Sequence, residues 1–402
     1  MWRPRRRAER RTVSPRQVHV AIVGLVAAFA VGGCTLPGRS TPSRPPTIAA
    51  QAAAPATARW SVADRGEIPA GSGLSVTAEG GLLRSLDVTD RPDHHLPSST
   101  DGLTGRATEL PPGSTVTAVA VLASPDGREV TASRTIRVAA PPRSLRATVS
   151  PGDGAEVGVG QPVIVTFNTP VADRAAAERA LRVVTDRPVG EAGWYWFDNS
   201  QVQYRPQRYW PSGTKVTVTA ALSGVRTGTT TWGVKDTTST FTIGRSQVLR
   251  IDDATHRMTV VRDGATIRTV PVSLGRHQGS FITRSGTKTV MAIQRTVRMD
   301  SRTVGITGPD AYNQVVPFAM RLTWSGEFIH GAPWSEWAQG QQDVSHGCTN
   351  VSLANAEWLF NNSLVGDPVE TTGTGREMEP GNGWGGGWNV SWAEWKAGSA
   401  LR

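Results

Sequence analysis

Apolar and polar residues alternate along most of this chain in runs of four to seven. Residues 73–78 (GLSVTA), 115–121 (TVTAVAV), 162–167 (PVIVTF), 194–197 (WYWF), 215–219 (KVTVT) and 240–243 (TFTI) all follow this rhythm. A period of two puts every second side chain on one face, the mark of a strand with one buried side. Turn signals such as Asp126-Gly127 separate the runs. Helical periodicity is scarce until residues 352–360 (SLANAEWLF), where Ser352 is placed to cap a short amphipathic helix.

The pattern repeats. Residues 111–122 (PPGSTVTAVAVL) resemble 210–222 (WPSGTKVTVTAAL), and each is followed by one last strand before a linker. A repeat at about 100 residues predicts two tandem immunoglobulin-like β-sandwiches, assigned to 58–142 and 143–245. A third block, 246–372, opens as a meander: 247–251, 257–262, an Asp263-Gly264 turn and 266–272. Asp-Gly between alternating runs is a favoured hairpin turn. The tail 373–402 is rich in Gly and carries Trp384, Trp388, Trp392 and Trp395. Their spacing puts the last three on one face of a helix, and rings of that size are expected to pack back on the third block. The expected fold is mostly β: two sandwiches, a β-rich third domain and a short Trp-rich subdomain.

Composition agrees with turn-rich β domains, with 43 Gly and 27 Pro in 402 residues. The net charge of +10 suggests nucleic acid until its location is read. Seven arginines against Glu9 within residues 1–16 account for +6, and the remainder is only mildly basic. No nucleic-acid partner is expected. The basic head is followed by an apolar run, residues 18–31, too short for a membrane span of about 20 residues. Together they have the layout of a secretory signal, assigned to residues 1–33. Gly32-Gly33-Cys34 then leads into a Pro-, Ala- and Ser-rich stretch read as a flexible linker, 34–57. Small residues before a cysteine resemble the lipobox of bacterial lipoproteins, which implies lipidation at Cys34 and attachment to the outer face of the cell membrane.

Only Cys34 and Cys348 are present. If the first carries lipid, the second is an unpaired thiol in an exported protein, which points to reactivity. It lies in Ser345-His346-Gly347-Cys348-Thr349-Asn350, downstream of Phe328-Ile-His330-Gly331-Ala-Pro-Trp334. A thiol is a strong nucleophile as thiolate, and an imidazole beside it takes its proton. The two histidines and the cysteine are not read as a metal site, since no carboxylate lies near them in sequence and a closed site wants four ligands. His256 and His277 are read as surface or packing residues.

His330 with Ser345-His346-Gly347-Cys348 and Asn350 resembles the signature of L,D-transpeptidases of the YkuD-like fold. The two sandwiches and the Trp-rich tail resemble the actinobacterial, mycobacterial-type members. The resemblance implies that Cys348 attacks the carbonyl of the third residue of a peptidoglycan tetrapeptide stem and expels the terminal D-alanine. His330 would be the general base, held through its other ring nitrogen by the Gly331 carbonyl. The backbone N–H groups of His346, Gly347 and Cys348 would form the oxyanion site. A second stem's amine would resolve the thioester into a cross-link between two third residues. Tyr312, Ser325, Gly326 and Asn350 match family substrate contacts, and His346 orients the cysteine loop. Val304 stands where relatives often have an aromatic residue, and Gly331 where serine is frequent. No cofactor is implied, because cysteine acyl transfer requires none.

Other readings compete. An L,D-carboxypeptidase would use water on the same thioester, and nothing in the sequence separates the two. A sortase needs an arginine in a strand after the cysteine, whereas Arg376 lies in the Gly-rich tail. A non-catalytic wall-binding module would gain nothing from a free thiol near imidazole.

Overall fold

A computed structural model of the protein describes residues 54–401. The segment expected to be a signal, Cys34 with its expected lipid, and most of the expected linker fall outside the described residues.

The first sandwich pairs a four-stranded sheet, ordered Thr57–Trp60, Leu74–Glu79, Thr104–Ala107 and Ser98–Thr100, with a five-stranded one centred on Thr115–Ala123. Alternation is strict in that central strand: Val116, Ala118, Ala120 and Leu122 are all fully buried. The second sandwich packs two four-stranded sheets, one containing Val163–Phe167 and the other Lys215–Ala220, around Phe167, Trp196, Trp210 and Phe241. Both sandwiches thus follow the repeat read from the sequence.

The third region holds two sheets around one core. Its five-stranded sheet runs Ala265–Pro271, Arg257–Arg262, Gln247–Asp252, Pro368–Thr372 and Gly286–Thr289. Asp263 and Gly264 both take positive φ, 49° and 83°, the backbone a two-residue hairpin of right-handed twist requires. The second sheet runs Ala292–Asp300, Asn313–Arg321, Phe328–Gly331 and Thr349–Val351. The helix Leu353–Asn362 starts at Ser352, whose hydroxyl accepts the Asn355 N–H at 3.3 Å, and it buries Ala356 and Leu359 in this core.

The tail departs from expectation in its partner. Only Trp392–Ala397 is α-helical, and Trp388 lies in the preceding 3-10 turn Trp384–Asn389. Trp388, Trp392 and Trp395 nonetheless converge on one cation, the Arg205 guanidinium of the second sandwich, at 4.6, 5.4 and 4.2 Å from their ring centres. Their indole N–H groups donate to the Gly160 carbonyl, Glu191 and the Gly193 carbonyl, all in that sandwich. Asn389 reaches the other way, accepting the Thr287 N–H at 2.7 Å and donating to the Thr287 carbonyl at 2.8 Å. The tail therefore clamps the third region to the second sandwich. A cation cradled by indoles keeps favourable electrostatics after losing water, which explains why the cluster gathers around Arg205.

Candidate active site

The cleft is built on a parallel strand pair. His330 lies opposite Asn350, so Cys348, two residues earlier, shares the face of His330. Cys348 sits just before its strand, in a bend that only glycine permits at 347, where φ is +125°. The loop is closed locally: the Ser345 hydroxyl donates to the Cys348 carbonyl at 2.6 Å and accepts the Gly347 N–H at 3.0 Å. Thr283 holds it from outside, donating to the Gly347 carbonyl at 2.9 Å while accepting the Gly275 N–H at 2.8 Å. A Cβ at Gly275 would stand 1.8 Å from the Phe281 carbonyl oxygen and 2.8 Å from Gly347 Cα, so the two chains meet there only because 275 has no side chain.

His330 is 3% exposed. Its Nδ1 donates to the Gly331 carbonyl at 3.0 Å, leaving Nε2 as the acceptor nitrogen, and its ring stacks on Trp334. Burial pushes its pKa down to about 4, against the pull of the Gly331 carbonyl. Burial pushes the Cys348 thiol up to about 12; the Phe328 backbone and Lys288 act against this, and the Glu327 carboxylate adds to it. The resting pair is thus a neutral imidazole and a neutral thiol. The thiol points to the Gly326 carbonyl at 3.7 Å.

Two openings meet at Met299 and Tyr312, and Cys348 lines the first of them. One, of about 250 Å³, is lined by His330, Trp334, Ser335, His346, Cys348 and Asn350. The other, of about 420 Å³, is lined by Val304, Arg321, Trp324, Gly326 and Phe328 among others. Met299 and Tyr312 border both. They flank the connection from Ala292–Asp300 to Asn313–Arg321, pinned by Ser301, whose hydroxyl donates to the Ile306 carbonyl and accepts the Tyr312 N–H. Half-buried Tyr312 packs on His346 with ring centres 5.1 Å apart, and Phe281 meets the same imidazole edge-on at 4.9 Å. Burial and the Cys348 sulfur push the phenol up to about 12, so it stays protonated.

The structure brings Cys348, His330, His346, Tyr312 and Asn350 to the first opening and Gly326 to the second. Ser325 lines neither of them, its hydroxyl engaged by Asn382 at 2.9 Å and Thr323 at 3.1 Å. Asn350 donates to the Ser335 hydroxyl at 3.0 Å. The Gly347 N–H is occupied by Ser345, so of the three backbone donors expected to face an oxyanion, those of His346 and Cys348 remain. His346 is held below its ordinary pKa by burial and by Arg276, with Asp310 acting against them.

Sequence reasoning missed a buried charge cluster behind the cysteine. Glu327 accepts from the Arg284 backbone and guanidinium, at 3.1 and 2.9 Å, and its other oxygen lies 2.8 Å from the Lys288 ammonium. Two segments 43 residues apart supply these residues, and no spacing in the chain announces them. Val304 rests against Gly326, where an added Cβ would be 3.0 Å from Val304 Cγ1.

Comparison with known proteins agrees with this architecture. Residues 246–371 match the L,D-transpeptidase catalytic domain family and residues 66–226 match a bacterial Ig domain family, a match that spans both sandwiches. L,D-transpeptidase 2 of Mycobacterium tuberculosis (strain CDC 1551 / Oshkosh) is 36% identical over 333 residues, covering 81% of this chain and 80% of the relative. L,D-transpeptidase 1 of Mycobacterium tuberculosis (strain ATCC 25618 / H37Rv) is 43% identical over 230 residues, covering 56% and 84%. The solved structure of the LD transpeptidase LdtMt1 in complex with imipenem superposes with a TM-score of 0.50 at 40% identity, covering 58% of this chain and all of that one. The chain belongs to the L,D-transpeptidase family.

Proposed function

We propose that the protein forms 3-3 cross-links in peptidoglycan through a thioester on Cys348. The observation that carries this reading is the buried Cys348 and His330 lining one opening, with a second opening across Tyr312. One opening suits a donor stem and the other an acceptor.

Because thiol and imidazole are both neutral at rest, the proton moves only when a carbonyl carbon is in place. The Cys348 proton passes to His330 Nε2 as sulfur attacks the third residue's carbonyl. The oxyanion is met by the N–H groups of His346 and Cys348, and each such donor contributes roughly a hundredfold in rate. The bond to the terminal D-alanine then breaks and His330 returns the proton to the leaving amine. An acceptor amine from a second stem attacks the thioester, gives its proton to His330 and restores the thiol. His346 is a positioning residue, wedged between Phe281 and Tyr312. We further infer that Cys34 carries lipid, that the chain is held at the outer face of the membrane, and that the sandwiches raise the cleft toward the wall.

The test is to incubate the protein with disaccharide-tetrapeptide stems and identify products by mass spectrometry, beside Cys348→Ala. A dimer lacking one D-alanine, absent with Cys348→Ala, is the expected result. Tripeptide without dimer would replace transpeptidation by carboxypeptidation, and no Cys348-dependent product would leave a wall-binding scaffold.

A further inference from the structure

Away from the cleft, the fold gathers three residues from separate segments. Asp253 follows the strand Gln247–Asp252, His277 ends the stretch that lies against the catalytic loop, and Asp343 begins that loop. His277 Nε2 lies 3.0 Å from Asp253 Oδ2 and 3.3 Å from Asp343 Oδ2. The candidate ligand atoms of these three residues all lie within 4.8 Å of one another. His256 Nδ1 is 3.4 Å from the other oxygen of Asp343. One atom within the group points to an absent partner: Asp253 is 4% exposed, yet its Oδ1 makes no hydrogen bond.

Two facing carboxylates repel each other when both are ionised, and one half-exposed imidazole neutralises at most one of them. A divalent cation would remove the conflict. Zinc bonds to nitrogen and carboxylate oxygen of about 2.0–2.1 Å place tetrahedral ligands about 3.3 Å apart. The separations of 3.0 and 3.3 Å already match that edge length. Imidazole donors favour zinc and its transition-metal neighbours over magnesium or calcium, which take oxygen ligands.

We propose that Asp253, His277 and Asp343 form a binding site for a divalent transition-metal ion of the zinc class, with the fourth position left to water. Its place in the fold gives it a purpose. The Asp343 carboxylate accepts the Leu274 N–H at 2.6 Å, the Ser345 N–H donates to the Leu274 carbonyl at 3.0 Å, and the Arg276 N–H donates to Ser345 at 3.1 Å. An ion there fastens the start of the loop carrying Cys348 to the turn after Asp252. It takes no part in the acyl transfer, and the site stands whatever reaction the cleft performs.

The test uses the full chain carrying Cys348→Ala, so that the cleft thiol cannot ligate, freed of metal by chelation and titrated with Co²⁺. The expected result is one Co²⁺ per chain with the visible absorption of a tetrahedral nitrogen and oxygen site, displaced by Zn²⁺. Adding His277→Ala, at a half-exposed position, should weaken binding at least about tenfold with an unchanged circular dichroism spectrum. Asp253→Asn should do the same. Hydrogen exchange across residues 343–348 should slow when Zn²⁺ is added. Absence of Co²⁺ binding, or binding that neither substitution weakens, would overturn the proposal and leave His277 as an ion-pairing residue between two aspartates.

Discussion

The catalytic cleft and the tryptophan clamp are both buried, but they treat polar groups in opposite ways. At the clamp, Arg205 is cradled by three indoles and donates to the Val390 carbonyl at 3.0 Å, and every indole N–H there has an acceptor. In the cleft, the Cys348 thiol has only a long contact to Gly326, and His330 offers Nε2 to the opening. The clamp leaves only the Arg205 Nε without an acceptor, beneath the indole faces, and so contributes stability. The cleft is left hungry for a ligand, at a cost to stability, and so contributes reactivity. The difference predicts that substitutions at the clamp act on stability and substitutions in the cleft on activity.

The sharpest way to break that contrast is Cys348→Ala. Turnover should fall by roughly 10⁴-fold or more while the unfolding midpoint stays within experimental error, measured by product release and by thermal denaturation. A large loss of stability would mean the cysteine is a packing residue after all. Next is Trp395→Ala at the clamp, where the side chain is fully buried. Unfolding of the C-terminal half in urea should require about 3–5 kcal/mol less, because a large cavity opens beside Tyr195 and Arg205.

His330 supplies a third, pH-dependent contrast. Its folded pKa of about 4 lies below the ordinary value of 6.5, so the folded state binds the proton less readily than the unfolded chain. Its contribution is unchanged above pH 6.5; stability is lost as pH falls through the window from 6.5 to 4, and the loss is complete below it. A gap of this size is worth about 3 kcal/mol. Chemical denaturation at pH 7 and pH 4 should show this increment in the natural chain and its absence in His330→Gln. The smallest expected effect concerns the thiol itself. With a pKa near 12, alkylation of Cys348 by iodoacetamide should keep accelerating about tenfold per pH unit past pH 9, without levelling off. A plateau at neutral pH would indicate a standing thiolate–imidazolium pair and contradict the neutral resting state.

Much of this was legible in the sequence, for local reasons. Val116, Ala118, Ala120 and Leu122 showed a buried face through their spacing alone, and Asp263-Gly264 marked its hairpin because few residues accept two positive φ values in succession. The Ser345–Cys348 segment and His330 carried the cleft because their chemistry is rare outside such sites. Contacts made across long sequence distances were not legible. Arg205 lies 185 residues from Val390, and the Glu327, Arg284 and Lys288 cluster becomes a unit only once two sheets have packed. The tail was expected on the third block because aromatic spacing reports a face but not its partner. His256 and His277, read as surface or packing residues, are partly packed and half-exposed, but nothing in their spacing announced that Asp343 lies beside them.

The central claim is that Cys348 becomes covalently acylated. The most direct measurement is intact-mass spectrometry of the full chain, quenched shortly after mixing with a tetrapeptide donor, followed by peptide mapping. The account predicts a mass gain equal to the donor minus D-alanine, located on Cys348 and lost on adding an acceptor amine. D-alanine release with no adduct on Cys348, or the same adduct in Cys348→Ala, would contradict it.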